Sequence, residues 1–309
     1  MRCLFSFILL FISIFSSSYA HTLAPDGKLL SPFEVSPQAC VANRVDATSG
    51  MYFEEEEDYT LTSIEDISLR RCYASDWEQW RFFPHCMLLQ GRDKEAHKDV
   101  AVTFDFNGTE FRLISDDSKG ARYQFKFKAP LQNLSRGCTS GKAQFSDCSG
   151  SLHHDLFKLT LPDGILRTYE QTSSSKRDLG PLCSLPNSDN IKNKTFFRLV
   201  SERLPTGNEL LYHYEKEGFL HSVELVNRKE KSYAELVFQY GKDNIQVFSN
   251  NKMVASYQFV NGLLTEVTRT QKPNIIYTYK SVNGKNRLIK KDLPEGRSVS
   301  CSYDEQGRV

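Results

Sequence analysis

The stretch LPTGNELLYHYEKEGFL, from Leu204 to Leu220, returns near the end of the chain as LPEGRSVSCSYDEQGRV, from Leu293 to Val309. Both copies place a Leu-Pro pair before a glycine, followed by a tyrosine and a second glycine, with no gap in the alignment. Glycine permits the backbone of a tight turn, and aromatic residues favour strands. The repeat therefore predicts β-hairpins. The shared residues are Leu204, Pro205, Gly207, Tyr214 and Gly218 in the first copy and Leu293, Pro294, Gly296, Tyr303 and Gly307 in the second.

Two weaker echoes lie between and before these copies. GFLHSV, from Gly218 to Val223, is echoed by GLLTEV, from Gly262 to Val267, and LPDG occurs from Leu161 to Gly164. A spacing of about 44 residues, which halves to about 22, fits one two-stranded hairpin per unit. Because such a unit cannot bury its apolar face alone, the function is expected to depend on stacked hairpins.

Turn dipeptides punctuate the rest of the chain in the same way. Asn107-Gly108, Asn261-Gly262 and Asn283-Gly284 each follow or separate runs in which apolar and polar residues alternate. An Asn-Gly pair tolerates the positive φ angles of a tight hairpin turn, and alternation with a period of two is typical of a half-buried strand. We therefore expect an all-β fold of antiparallel hairpin repeats, without useful helical periodicity after the N-terminal segment.

The first twenty residues predict a secretory signal peptide. Arg2 supplies a positive charge, Leu4 to Phe15 is mostly apolar, and Ser18-Tyr19-Ala20 offers small residues for cleavage. A retained anchor is the alternative. The mature chain is expected to begin near His21 and to be secreted or held at the cell surface. No later stretch is apolar enough to span a membrane, and the net charge of +1 gives no electrostatic reason to expect nucleic acid as a partner.

The mature part is predicted to have two zones. Residues 21–170 form an irregular β domain, 171–195 form a linker or long loop rich in serine with two prolines, and 196–309 form the hairpin array. Export makes disulfides plausible, and Cys138 with Cys148, which flank a short Gly/Ser loop, are the best local pair. Seven cysteines follow the predicted cleavage site, so at least one is left without an intramolecular partner, and buried reduced cysteines remain an alternative to a disulfide set.

Candidate reactive groups favour structural readings. The acidic run Glu54 to Asp58 is predicted to be solvated rather than to bind a metal. Adjacent His153 and His154 would point to opposite faces of a strand and cannot share a metal. His85-Cys86 lacks a nucleophile signature, and Trp77 with Trp80 is expected to pack in a core. We therefore predict no catalytic residue, no metal and no cofactor.

The terminal copy, Tyr303-Asp304-Glu305-Gln306-Gly307-Arg308-Val309, resembles the signature of YD repeats, found in Rhs proteins, toxin-complex shells and teneurins. Upstream, the segments from Thr48 to Gly50, from Ile67 to Ser75 and from Trp80 to Phe82 look like the domain that precedes the repeats in many Rhs proteins. Ser49 interrupts the usual Thr-Gly step, and Cys72 replaces a more usual residue.

The resemblance implies a long antiparallel sheet that curls or spirals into a hollow shell, of which this chain would be the start. In each unit tyrosine would pack on the neighbouring hairpin and need a partner for its hydroxyl, while Asp304 would accept hydrogen bonds in the turn. The shell would continue beyond Val309, and its partners would be the remaining C-terminal shell and effector segment, or a partner chain.

Three functions follow in order of preference. The first is a non-catalytic exported shell scaffold that encapsulates or presents a C-terminal toxin or effector. The second is an extracellular adhesin or carbohydrate-binding module that recognises a cell-surface receptor or glycan through aromatic residues on exposed hairpins. The third is a secreted hydrolase, for which no nucleophile, base and orienting group can be assembled from the sequence.

Overall fold

The fold was analysed in a computed structural model of the chain. The structure describes residues 40–41, 45–46, 50–75, 80–83, 87–94, 99–104, 110–117, 122–127, 149–153, 155–161, 164–172, 191–229 and 231–309. The predicted signal peptide lies outside these residues. Within them no helix is long and apolar enough to cross a membrane.

The all-β class predicted from the sequence is confirmed. A single 3-10 turn, Pro294–Gly296, is the one helical element among the described residues. The strands are β1 (Cys40–Val41), β2 (Val45–Asp46), β3 (Phe53–Leu61), β4 (Ile67–Ala74), β5 (Arg81–Phe83), β6 (Met87–Asp93), β7 (Asp99–Phe104), β8 (Glu110–Asp117), β9 (Arg122–Phe127), β10 (Ser149–His153), β11 (Leu156–Thr160), β12 (Leu166–Thr172), β13 (Ile191–Arg203), β14 (Glu209–Tyr214), β15 (Leu220–Val226), β16 (Ser232–Tyr240), β17 (Asn244–Ser249), β18 (Lys252–Val260), β19 (Leu263–Arg269), β20 (Ile275–Val282), β21 (Lys285–Asp292) and β22 (Ser298–Ser300).

These strands pair antiparallel in one large and two small sheets. β1 pairs with β2, and β3, β4 and β5 form a three-stranded sheet, here called the inner sheet. From β6 to β22 each strand pairs with the next. The thirteen-residue strand β13 is the branch point, because β12 occupies one edge while β6 and β14 share the other. Strand β13 therefore pairs with β6, the first strand of the large sheet, as well as with β12. Strands β14 to β22 continue from β13 as a meander.

The large sheet contains strands from both zones predicted from the sequence. Strand β12 runs to Thr172 and β13 starts at Ile191, so both ends of the predicted 171–195 linker belong to strands. Residues 173–190 lie outside the described part. Strands β12 and β13 pair directly over seven registered positions, from Leu166 with Arg203 to Thr172 with Phe196. The two predicted zones therefore share one hydrogen-bonded sheet.

Tight turns join the meander strands. Asn261-Gly262 and Asn283-Gly284 have positive φ at both positions, as predicted for two-residue hairpin turns. The turn between β17 and β18 also has positive φ at two successive residues, although neither is a glycine: Asn250 has a φ of 50° and Asn251 a φ of 60°. The Asn107-Gly108 turn lies outside the described residues, although the strands on either side, β7 and β8, are paired.

The inner sheet packs on one face of the meander. Phe82 of β5 meets Tyr257 of β18 edge to face, with ring centroids 5.3 Å apart. Trp80 lies 4.9 Å from the ring of Tyr277 on β20, and its Nε1 donates a 2.8 Å hydrogen bond to the Tyr279 hydroxyl. Core packing is therefore confirmed for Trp80, while Trp77 lies outside the described residues. This contact buries one continuous apolar core between the two sheets.

Candidate functional site

Three half-buried tyrosines anchor hairpins of the meander to neighbouring strands. The Tyr214 hydroxyl donates to the carbonyl oxygen of Leu199 at 2.6 Å, and Tyr303 donates to that of Leu288 at 2.8 Å. Tyr279 does the same to Leu264 at 2.8 Å. In all three the acceptor is a leucine fifteen positions earlier. A part-buried hydroxyl is thus satisfied by backbone, as an amphipathic side chain at a packed interface requires.

The repeated Leu-Pro-x-Gly segments form turns with a common outer hydrogen bond. The Leu204 N–H donates to the Asn208 carbonyl and the Leu293 N–H to the Arg297 carbonyl, both at 2.8 Å. The copies differ inside the turn: Gly207 alone has a positive φ in the first, whereas Glu295 and Gly296 both do in the second. The first copy has Thr206 at the position of Glu295, and a β-branched residue strongly disfavours positive φ.

The glycine after each repeated tyrosine closes a second kind of turn. Gly218 N–H donates to the Glu215 carbonyl and Gly307 N–H to the Asp304 carbonyl, both at 2.9 Å, with φ angles of 93° and 78°. In the later turn Asp304 Oδ1 also accepts from the backbone N–H of Arg308 at 2.8 Å, and these hydrogen bonds lower the pKa of Asp304. Arg308 Nε donates to Asp304 Oδ2 at 2.8 Å. The side chains of Asp304 and Arg308 therefore stabilise the turn in which they both lie.

The two segments that carry the Rhs-like resemblance touch each other. Val309 N–H donates to the Gly50 carbonyl at 2.8 Å. A Cβ on Gly50 would lie 2.6 Å from the Cβ of Arg308, and Gly50 has a φ of 68°, so only glycine fits there. Nearby, the Tyr73 hydroxyl accepts from the Leu288 N–H at 3.0 Å. The upstream segment therefore packs directly on the last repeat.

The acidic run Glu54 to Asp58 lies at the centre of this packing. It forms β3, whose alternation turns Glu54, Glu56 and Asp58 toward the meander, while Glu55 and Glu57 face outward. Glu54 and Asp58 are fully buried. We call these three acids and the three cations that meet them the charged seam; the cations are Arg71 of β4, Arg269 of β19 and Lys291 of β21.

Each acid of the charged seam is paired. The Arg71 guanidinium donates two hydrogen bonds to the Asp58 carboxylate, from Nε to Oδ2 at 2.7 Å and from Nη2 to Oδ1 at 3.2 Å. Arg269 Nη1 bonds Glu56 at 2.9 Å and lies 3.4 Å from Asp58. Lys291 contacts Glu54 at 2.5 Å and also bonds Glu56. Three negative charges thus meet three positive charges, which offsets the cost of burying them.

Tyrosine hydroxyls complete the hydrogen bonding of the seam. Tyr257 donates to Asp58 Oδ2 at 3.0 Å, and Arg71 Nη1 donates to the Tyr277 hydroxyl at 2.8 Å. Burial and the Asp58 carboxylate raise the pKa of Tyr257 well above its ordinary value, so this hydroxyl stays a donor. The Arg71 guanidinium also lies 4.3 Å from the ring centroid of Trp80.

Ion pairing shifts the titration of Glu56 most clearly. Burial opposes its charged form, but the Lys291 ammonium and its hydrogen bond outweigh burial and lower the pKa of Glu56 from 4.5 to about 2. Burial likewise opposes the charged form of Arg71, yet Asp58 raises the pKa of Arg71 well above its ordinary value. Glu56 and Arg71 are therefore both charged at neutral pH.

The prediction that this acidic run is solvated was wrong. A run of like charges usually faces water, but a strand divides such a run between its two faces, and here one face meets the meander. A signal was present in β4, where Arg71 takes the inward register between Leu69 and Tyr73. A cation at a core position of a strand indicates an acid opposite it, because a buried charge must be paired.

Several predicted residues fall outside the described part of the chain. Cys138, Cys148, His154 and the 85–86 pair are among them, so the predicted disulfide has no structural counterpart here. Asp155 is exposed in the turn directly before β11. Neither Cys72, which is buried in β4, nor Cys301 forms a disulfide with another described residue.

Comparison with known proteins yields little. No protein-family profile matches the chain, and no curated protein matches it. A solved porin-like protein from Bacteroides uniformis is similar over 70% of this chain and 92% of that chain, with 11% identity and a TM-score of 0.29. A likeness at that level carries no argument about fold or function.

Proposed function

We propose that this chain is a non-catalytic exported scaffold, the N-terminal part of a protein of Rhs/YD-repeat type. Its stacked hairpins would begin a curled shell that encloses or presents a C-terminal toxin or effector segment. The signal peptide predicted at residues 1–20 would take the chain out of the cytoplasm. The work of such a protein is mechanical, since it holds other segments in place.

The observation that carries this proposal is the tyrosine anchor at Tyr214, Tyr279 and Tyr303. Each anchor fixes one hairpin to backbone fifteen residues earlier, and the arrangement can be repeated indefinitely along a meander. A catalytic pocket is a single constellation, whereas a bond repeated at equal chain spacing is typical of an extended wall. The contact between the Gly50 segment and the last repeat supports the same reading.

The charged seam also supports a scaffold. All three acids are held by cations within hydrogen-bonding distance, and two of them are fully buried. A general acid or base must reach a substrate, and a nucleophile must be adjacent to a base. The seam acids are instead used to attach the inner sheet to the meander.

The test is to isolate the product of the native gene from the culture medium. We expect intact mass to report loss of the first twenty residues and a length that includes further YD-like units. Negative-stain electron microscopy should then show a curved hollow particle. A mature secreted product that ends at Val309 and stays a small monomer without such a particle would overturn the shell proposal.

A further inference from the structure

The outward face of the β16–β17 pair carries a shallow groove, on the side of the meander away from the inner sheet. Its volume is about 400 Å³, within the range of about 300–1,000 Å³ that is usual for small-molecule sites. The groove can therefore accept one small ligand. Its lining residues are Glu235, Val237, Gln239, Phe248, Asn250 and Asn251.

Strand register arranges these side chains in rows. Val237 lies directly opposite Phe248, and both are half-buried, so the middle row is apolar. Gln239 lies opposite Gln246 in the row on one side. On the other side of the apolar row, Glu235 lies two positions before Val237 on β16, and the turn residues Asn250 and Asn251 complete the lining. The groove thus has an apolar centre between two polar ends.

The polar side chains of the groove are unengaged. Glu235, Gln239, Asn250 and Asn251 make no side-chain hydrogen bond or ion pair with any other residue that the structure describes. In the charged seam, by contrast, every acid has a partner. The positive φ angles of Asn250 and Asn251 fix a tight hairpin turn, which holds their amides at the rim of the groove.

We propose that this groove binds a neutral saccharide. Amides and a carboxylate offer both donors and acceptors to hydroxyl groups. The Phe248 ring and Val237 supply an apolar surface for the C–H face of a sugar ring. Glu235 is the one charged residue of the lining and there is no cation, so the local charge disfavours sulfated or phosphorylated ligands. This site goes beyond the scaffold function and does not depend on it.

The test is binding of the purified protein to an immobilised panel of neutral oligosaccharides of hexoses and N-acetylhexosamines, beside sulfated ones. The best ligand is then titrated in solution by calorimetry against Gln239→Ala and Phe248→Leu. Matched controls are Gln171→Ala, an exposed glutamine of β12, and Phe219→Leu, a half-buried phenylalanine outside the groove. Far-ultraviolet circular dichroism and thermal melting check that each variant is folded.

We expect binding to at least one neutral oligosaccharide, with about a tenfold or greater loss of affinity for each groove variant, or about 1.4 kcal/mol. The two control variants should retain the affinity of the original protein. The proposal is overturned if the panel shows no binding, if only sulfated glycans bind, or if folded groove variants and control variants bind equally well. The scaffold proposal would survive all three results.

Discussion

Arg71 of the charged seam links the inner sheet to the meander. It is fully buried, it bonds Asp58 through two nitrogens, and it reaches the Tyr277 hydroxyl on the meander. Asp58 in turn accepts from Tyr257. A single side chain therefore holds the strands of the inner sheet and the meander in one register, a role for which buried ion pairs are suited.

Replacing Arg71 with methionine should destabilise the protein strongly. The change leaves the Asp58 carboxylate buried with Arg269 at 3.4 Å as its remaining cation, and breaking a buried pair costs about 3–5 kcal/mol. Guanidinium unfolding would measure the loss. Arg203→Met is the matched control, because Arg203 is exposed and lies 3.8 Å from Glu209, a pair expected to contribute less than about 1 kcal/mol. Similar losses in both variants would refute this role for Arg71.

Tyrosine-to-phenylalanine changes should separate the anchors from ordinary surface tyrosines. Phenylalanine keeps the ring but lacks the hydroxyl, so each anchor variant loses the hydrogen bond to the leucine carbonyl. Such a bond contributes about 0.5–1.5 kcal/mol to the free energy of unfolding. Tyr279→Phe should cost more than Tyr303→Phe, because the Tyr279 hydroxyl also accepts from Trp80. Tyr233→Phe should cost less than either anchor variant in the same unfolding assay, because the Tyr233 hydroxyl is exposed and its hydrogen bond from Asn227 competes with water. Equal effects at all three sites would count against a special anchor role.

Hairpin turns set the geometry at the scale of elements. The sequence predicted the Asn-Gly turns from residue type, because few residues tolerate positive φ at two successive positions. It did not predict the Asn250–Asn251 turn, since asparagine tolerates these angles but does not require them. Nor could it distinguish the two Leu-Pro-x-Gly turns, whose difference comes from Thr206 and Glu295 inside an otherwise equal pattern.

Two glycine-to-alanine changes test what the turns require. Gly207 and Gly262 have φ angles of 87° and 79°, so alanine at either position should cost about 1–2 kcal/mol in backbone strain. At Gly207 the new Cβ would also meet Arg228 Nε at 2.1 Å, whereas nothing lies within 4 Å at Gly262. Thermal unfolding should therefore rank Gly207→Ala below Gly262→Ala in stability. The reverse order would show that the Arg228 side chain moves away without cost.

At the scale of the whole molecule, the charged seam makes stability depend on acid. The folded-state pKa of Glu56 is lowered to about 2 from an ordinary 4.5. Its contribution is therefore fully present above about pH 4.5 and is lost as the pH falls through about 2. The loss is on the order of 3 kcal/mol.

Urea unfolding at a series of pH values would measure this dependence. Glu56→Gln should flatten the curve between pH 4.5 and pH 2, because the variant has no carboxyl group at this position to titrate. Glu217→Gln, at an exposed turn position, is the control and should leave the curve unchanged. An unaltered acid limb in Glu56→Gln would mean that other carboxyl groups set the stability in this range.

The inner sheet and the meander should unfold together. Trp80, directly before β5, contacts Tyr277 and Tyr279 of the meander, so its fluorescence reports the contact between the inner sheet and the meander. Far-ultraviolet circular dichroism reports mostly the longer meander. Because one core and one set of ion pairs join the two, we expect coincident unfolding curves. An earlier fluorescence transition would mean that the inner sheet detaches first.

The contact between the sheets marks where prediction from the sequence ends. Local patterns predicted strands, turns and the class of fold, because each depends on neighbouring residues. The pairing of β13 with β6 and the encounter of Arg71 with Tyr277 depend on residues that are far apart in the chain. No periodicity encodes which face of β3 meets β19 and β21. The pairing of β12 with β13, across the two predicted zones, could not be predicted for the same reason.

The long chain separation within the charged seam also constrains how the protein is made. Lys291 follows Glu54 by 237 positions and Tyr257 follows Asp58 by 199. Arg71 follows Asp58 by 13 positions, but during synthesis or export from the N-terminus Glu54 and Glu56 emerge long before Lys291 and Arg269. The Glu54 and Glu56 carboxylates must therefore stay solvated until the late strands arrive. During that interval, a holding chaperone would protect the apolar residues of the inner sheet from aggregation.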